Sequence, residues 1–204
     1  MGFLSSTVSM ARYKVDGKLE GQILETVAAG LKKNMISEID GNPVEKTIGW
    51  TSFENPFQPG FKGSSFSIGT YLVFSMRIDK KIIPSKIVKK HVAVESAKLL
   101  TVSGRKFLSK DEKTAIKDRV INALILRIPA TPNVYDLLWN YEGSEICFFS
   151  SLKAANEEFE TLFAKSFNLT PIRLFPYTMA DLTAGLTHAE RDVLSNISST
   201  KFAK

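Results

Sequence analysis

The chain has 204 residues, the size of one large domain at roughly 100–200 residues per domain. Hydrophobic residues make up 44% and charged residues 24%, which excludes a disordered chain, a collagen-like fibre and a disulfide-rich scaffold. The net charge of +6 is only a weak indication of a nucleic-acid partner.

The sequence points to the cytoplasm. Cys147 is the single cysteine, so an intramolecular disulfide cannot form. The segment from Met1 to Ser6 lacks the basic region and apolar core of a secretory signal. No stretch approaches the ~18 consecutive apolar residues of a membrane-spanning helix. We therefore expect a cytoplasmic protein without a membrane partner.

The first part of the chain predicts three strands and a helix. Residues 3–15 alternate loosely, and residues 66–78 are dense in β-branched and aromatic types, so both are predicted strands. A short strand or anchored loop is predicted at 48–50. Apolar residues recur every fourth position on one face of a predicted helix: Leu19, Ile23, Val27 and Leu31.

The middle of the chain predicts a helical hairpin over residues 84–127. Pro84 opens the first helix, where its missing N–H is harmless. Ser109 and Glu112 form the S-x-x-E pattern of a capping box, which starts the second helix. Two apolar stripes are predicted to face each other, with lysines outside: Val88, Val92 and Leu99 in the first helix, and Ile116, Val120 and Leu124 in the second.

The last part predicts two strands at 133–141 and 145–150, a helix, a short strand from Thr170 to Phe175, and a final helix capped by Thr187. These elements predict an α+β fold, with helices and an antiparallel sheet forming a central region. We predict three regions: a discontinuous central region (1–79 and 129–176), a projecting basic helical hairpin (80–128) and a C-terminal helical tail (177–204).

The positive charge is concentrated in one segment. Residues 80–127 contain thirteen lysines and arginines but four acidic residues, a local charge of +9, while the remaining residues sum to −3. Many lysines with few residues suited to base edges are typical of proteins that contact phosphates without reading bases. The ordinary alternative is a solvated helix face.

The motifs of catalysis and metal binding are missing from the sequence. His91 and His188 lie far apart, without the His-Glu-x-x-His spacing. Cys147 lies inside a predicted strand, where a free cysteine usually behaves as a small hydrophobe. No phosphate-binding loop or G-x-S-x-G motif is present. We expect no catalytic residue, metal site or cofactor.

A set of ordered motifs resembles one protein family. Residues 81–85 read Lys-Ile-Ile-Pro-Ser, followed by Val88-Lys89, and resemble the K-I-L-P-S-x-V-I-K element of the bacterial recombination-associated protein RdgC. Leu126 stands where that family has a proline. Since its members continue through a further domain, we expect a short member lacking the usual C-terminal region. The other matching positions are Gly49-Trp50, Arg105-Lys106, Lys110, Glu112-Lys113, Lys117-Asp118, Val120, Leu124, Arg127, Trp139, Gly143, the segment 152–155, Thr170-Pro171 and Pro176.

The resemblance implies a non-enzymatic, nucleoid-associated protein that binds double-stranded DNA with little sequence preference. It implies a homodimer or higher oligomer, since family members form a homodimeric ring around DNA, and restraint of a RecA-type recombinase. It also implies a central α+β region with a projecting helical tip. The DNA contacts carry over only to basic residues of the hairpin: Lys81, Lys86, Lys89, Lys90, Arg105, Lys106, Lys110, Lys113, Lys117 and Arg127.

Two other function classes stay open. The basic hairpin would also suit a protein-interaction module that docks an acidic partner or a second protomer without DNA. An enzyme, such as a nuclease, is the other alternative, although the sequence offers no carboxylate cluster to hold a metal ion.

Overall fold

The computed structural model describes residues 2–61 and 65–198. In these ranges the chain forms seven strands: β1 (Ala11–Asp16), β2 (Lys46–Thr51), β3 (Ser67–Ile68), β4 (Tyr71–Lys80), β5 (Thr131–Asn140), β6 (Glu145–Phe148) and β7 (Thr170–Arg173). It also forms six helices: α1 (Ile23–Lys33), α2 (Ser85–Ser103), α3 (Lys110–Ile125), α4 (Lys153–Phe167), α5 (Pro176–Thr183) and α6 (His188–Asn196). The predicted α+β class is confirmed.

The strands form one sheet in the order β2-β4-β5-β6-β1-β7, and β3 pairs with β4. Every pairing between these strands is antiparallel. β4 and β5 stay in register over their whole length, from Tyr71 opposite Asn140 to Lys80 opposite Thr131. The helices α2 and α3 connect these two neighbouring strands.

The main hydrophobic core lies between one face of the sheet and the helices α1 and α4. Alternate residues of β4 enter it, because side chains of a strand point to opposite faces with a period of two. Trp50 and Trp139 are fully buried there. Phe148 of the sheet stacks on Phe159 of α4 with ring centroids 4.6 Å apart, which fixes α4 against the strands.

Three residues of the other alternating set in β4 are polar and also buried. Ser75, Arg77 and Asp79 are each at most 4% exposed. The Arg77 guanidinium donates to both carboxylate oxygens of Asp79, at 2.7 and 2.5 Å, and to Glu38 at 2.8 Å. A buried charge is tolerated only when it is paired and hydrogen-bonded, and this network satisfies that condition.

The helices α2 and α3 enclose a second, smaller hydrophobic cluster. Ile116, Val120 and Leu124 of α3 are buried in it, and Val88, Val92 and Leu99 of α2 pack against them. Both predicted apolar stripes are therefore confirmed. Since these residues are distinct from those of the main core, the two helices are stabilised mainly by each other.

Several element boundaries differ from the sequence predictions, and three of these differences have a visible cause. The strand predicted at 3–15 begins at Ala11, because Phe3 packs edge-to-face against Phe149 and its N–H donates to Asp136. The strand predicted at 66–78 is divided by a turn with Gly69 at φ +61°. Pro176 ends the predicted strand by beginning α5, where its fixed φ suits the first helical position.

The C-terminal region is helical as far as the structure describes it. Residues 199–204 of the predicted tail lie outside the described residues. α6 begins at the Thr187 capping box, as predicted. Among the described residues, no helix combines the length and the apolar character needed to cross a membrane.

Candidate nucleic-acid interface

The second helix of the hairpin begins at a complete capping box. Ser109 Oγ accepts from the N–H of Glu112 at 3.2 Å, and the Glu112 carboxylate accepts from the N–H of Ser109 at 2.8 Å. The same carboxylate accepts from Arg105 at 2.5 Å. These hydrogen bonds hold the pKa of Glu112 below its ordinary value; the bond from Arg105 has the larger effect and the bond from the Ser109 N–H the next. This network fixes the start of α3 and engages Arg105.

Packing of the apolar stripe determines where the lysines of α3 lie. Because Ile116 and Val120 face α2, the lysines of α3, spaced three and four residues apart, remain exposed. Lys110 and Lys113 contribute to one exposed row, and Lys117 continues it. The predicted arrangement, apolar inside and basic outside, is therefore present in this helix.

A groove of about 650 Å³ lies between the two helices and the turn that joins them. Its apolar surface comes from α2 and from the turn, where Phe107 is 84% exposed. Five of the predicted DNA-contacting residues line this one groove: Lys89, Lys106, Lys110, Lys113 and Lys117.

The remaining predicted residues lie elsewhere. Lys86 and Lys90 are exposed on α2 and do not line this groove. Arg127 is exposed and lines a separate pocket together with His91 and Arg119. Five of the ten predicted residues therefore line this groove, and Lys86, Lys90 and Arg127 do not.

Lys81 needs a correction, because the structure places it in the interior. It follows the last residue of β4, and its side chain is 5% exposed. The Lys81 Nζ donates to the carbonyl oxygens of Asn42, at 2.7 Å, and Ile125, at 2.9 Å. An ammonium group engaged in this way is not on the surface that would meet DNA.

Phe107 is the residue of this surface that the sequence analysis missed. An apolar residue next to Leu108 looks like part of the core, and Leu108 is indeed buried. The feature that could have identified Phe107 as exposed is its position in the short turn between Gly104, at φ +65°, and the Ser109 cap. A large aromatic residue in a tight exposed turn has little chance of being buried by its own hairpin.

The described residues contain no group of three or more histidine, cysteine or acidic side chains positioned to hold a metal ion. Cys147 is half-buried on β6, and burial raises the pKa of its thiol. A thiol of this kind is less often in the reactive thiolate form. The expected lack of catalytic and metal-binding residues stays a prediction.

Comparison with protein-family models matches most of the chain to one family. A family model described as "Putative exonuclease, RdgC" matches residues 9–188 of the 204-residue chain. No curated protein matches the chain significantly. The matched region includes the whole sheet and both helices of the hairpin.

Proposed function

This chain belongs to the RdgC family, and we propose that it binds double-stranded DNA without sequence preference. The observation that carries the proposal is the row of exposed lysines on α2 and α3, in a segment with a local charge of +9. The contacts run from the lysine ammonium groups to DNA phosphates. Lys81, which is buried, is not part of the proposed surface.

Lysine suits phosphate binding that ignores sequence. Its ammonium group is a compact point charge on a flexible stem, without the fork with which arginine recognises planar groups. Each phosphate that a lysine neutralises releases condensed counterions, so affinity falls as salt rises. Since phosphates carry no sequence information, all duplexes are bound alike.

The proposal extends to recombination and to assembly. A duplex covered by this protein is less accessible to other proteins, and we propose that a RecA-type recombinase is restrained in this way. We also propose that the protein is a nucleoid-associated homodimer. Light scattering during size-exclusion chromatography, with and without DNA, tests the assembly; a monomer under both conditions contradicts it.

The family description makes exonuclease activity the second candidate function. We propose a non-enzymatic role instead, and incubation with end-labelled linear duplex and Mg²⁺ or Mn²⁺ distinguishes the two. No released nucleotide is expected. Exonuclease activity is established if nucleotide is released, if EDTA abolishes this release, and if the activity copurifies with this chain rather than with a contaminant.

DNA binding is tested by fluorescence anisotropy with two unrelated duplexes over a series of salt concentrations. We expect equal affinities and a log–log slope of about −0.9 per phosphate neutralised. The variant K106E/K113E/K117E should weaken binding to both duplexes in the same proportion. A control with three exposed lysines outside the hairpin reversed, K18E/K32E/K165E, should change binding much less.

A loss confined to one duplex contradicts the proposal of phosphate contacts. Equal losses in the hairpin and control variants show that only the total charge matters. No binding at low salt removes the DNA proposal altogether.

A further inference from the structure

The hairpin has a second concave surface, on the side away from the groove of the five lysines. It is a pocket of about 200 Å³ between α2, α3 and the turn that follows α3, and it shares no lining residue with the groove. Arg119 lines it from α3, and Arg127 lines it from the turn. Lys110 and Lys117 lie roughly half a turn around the helix from Arg119, at ~100° per residue.

The two arginines of this pocket have no acceptor within the described part of the hairpin. The ion pairs there are Lys98 with Glu95 and Arg105 with Glu112, so neither Arg119 nor Arg127 has one. Both side chains are exposed. A guanidinium group carries N–H donors in a planar fork, which suits a pair of oxygen atoms on one anion. The pocket therefore presents donors for an anion that these residues do not supply themselves.

One acidic residue, Glu95, also lines the pocket. Its carboxylate accepts from Lys98 Nζ at 2.7 Å, and this bond is the main cause of the lowered pKa of Glu95. The charges of Arg119 and His91 lower it further, so both side chains lie near this carboxylate. Among the lining residues, two arginines against one glutamate leave one net positive charge when His91 is neutral and two when it is protonated.

We propose that this pocket binds a phosphate group, with the guanidinium groups of Arg119 and Arg127 and the protonated ring of His91 as donors. The other charged residue that lines the pocket, Glu95 of the same helix as His91, is held by Lys98. An anion beside a histidine favours the protonated form of its ring, and by reciprocity protonation of the ring favours the anion. Binding and proton uptake at this pocket are therefore coupled.

Two sources offer this chemistry, the backbone of a duplex and a free phosphate ion. The duplex rests on the proposed DNA binding, and it extends the DNA-binding surface to the second side of the hairpin. Histidine ordinarily has a pKa of about 6.5. Duplex affinity should therefore rise as the pH falls from about 8 to about 6, because the pocket gains one positive charge in that range.

The pocket is tested first without DNA, through the ring Cε1–H signal of His91 in NMR spectra. The chain contains two histidines, and His188 is exposed on α6, outside the hairpin. The variant H188Q assigns the two signals, and His188 serves as the internal control. Both are followed between about pH 5.5 and pH 8, in sodium phosphate, sodium acetate and sodium chloride of equal ionic strength. We expect phosphate to move the midpoint of the His91 titration upwards by ~0.5 pH units or more, and His188 to stay unchanged.

Two double variants of equal charge assign this response to the arginines. R119Q/R127Q removes both forks and should abolish the effect of phosphate on His91. K106Q/K113Q removes two charges from the groove on the other side of the hairpin and should retain that effect. All four side chains are exposed, so neither variant disturbs the packing of the helices.

Duplex binding is then measured by fluorescence anisotropy at about pH 6 and about pH 8. We expect the wild type to bind about threefold more tightly at the lower pH, which is the scale of one added exposed charge contact. H91Q should bind equally at both pH values. H188Q, the matched control, should keep the wild-type dependence.

The outcomes separate the site, its ligand and the proposed function. An equal His91 response to phosphate and chloride, or a response that survives R119Q/R127Q, overturns the proposal. An equal response to acetate also overturns it, because the pocket then accepts carboxylates in general.

A phosphate response supports the site in either of two ways. If duplex affinity also depends on pH through His91, the DNA backbone is the source of the phosphate; if it does not, the ligand is the free ion. Absence of duplex binding at either pH refutes the proposed function, and a phosphate response of His91 then leaves this inference intact.

Discussion

The ammonium group of Lys81 lies 2.9 Å from the carbonyl oxygen of Ile125, the last residue of α3. Carbonyl groups at the C-terminus of a helix have no partner within the helix and carry partial negative charge. Lys81 satisfies one of them and also binds Asn42. Nearby, the Asp40 carboxylate accepts from the N–H of Ala130 at 2.8 Å. The loop before β2 thus contacts both ends of the inserted hairpin.

Replacement of Lys81 by Met should lower the free energy of unfolding by about 2 kcal/mol. The change removes the donor from the carbonyl oxygens of Asn42 and Ile125, and the bond to Ile125 is buried. Urea denaturation measures the loss. K80M is the matched control, because its neighbour Lys80 is exposed; equal losses in both variants would show that the two hydrogen bonds contribute nothing.

The two capping boxes should differ in their effect on stability. S109A should cost about 1 kcal/mol, because α3 carries the buried residues of the second cluster. T187A removes an equivalent box from α6, which has no buried residue in the described structure, so fraying there should leave global unfolding almost unchanged. Thermal denaturation of both variants makes the comparison, and a larger loss for T187A contradicts it.

The buried pair on β4 should be sensitive to loss of its negative partner. D79N leaves Arg77 buried with an exposed carboxylate, Glu38, as its remaining charged partner, and should cost about 3 kcal/mol. E38Q removes only that carboxylate, whose side chain is 62% exposed, and should cost less than about 1 kcal/mol. Guanidinium denaturation measures the free energy of unfolding of both variants. Similar losses would contradict the expectation that the buried partner, Asp79, matters more to stability than the exposed one, Glu38.

Gly49 should not tolerate a side chain. A Cβ at this position would lie 2.5 Å from the Ile36 nitrogen and 2.8 Å from the Met35 carbonyl carbon, both of them backbone atoms that cannot easily shift. G49A should therefore cost about 2 kcal/mol. G60A, where a Cβ meets nothing within 4 Å, is the control, and its unfolding free energy should change by less than about 0.5 kcal/mol.

Acid should weaken the start of α3. The pKa of Glu112 is lowered in the folded protein, so the contribution of its carboxylate is complete above the ordinary pKa of about 4.5 and is lost as pH falls through the lowered value. E112Q should match the wild type in strong acid and be less stable at neutral pH. Thermal denaturation at several pH values checks this; a difference independent of pH contradicts it.

The elements that sequence alone predicts are those with a local cause. Ser109 and Glu112 are three residues apart, and the helix they start is present in the structure. Gly49 and Trp50 are recognisable as a motif, yet the need for glycine at position 49 does not come from its neighbours in the sequence. It comes from the backbone at Ile36, which lies against β2 at this point. That approach comes from the fold as a whole.

Neighbouring lysines show the limit of sequence reasoning about the site. Lys80 and Lys81 look alike in the sequence, but Lys80, the last residue of β4, is exposed and Lys81, the next residue, is buried. The sequence does not show this difference, because the carbonyl groups that accept from Lys81 belong to the distant residues Asn42 and Ile125. That the exposed lysines bind DNA stays a prediction.

The register of β4 and β5 gives the helical hairpin an unexpected role. Lys80 and Thr131 face each other as the last pair of a ten-residue ladder. Within the sheet, residues 81–130 therefore connect two adjacent antiparallel strands, as the turn of a β-hairpin does. A two-residue Asn-Gly turn favours the same strand geometry. The pairing of these two strands can therefore persist while the helices change in length or charge.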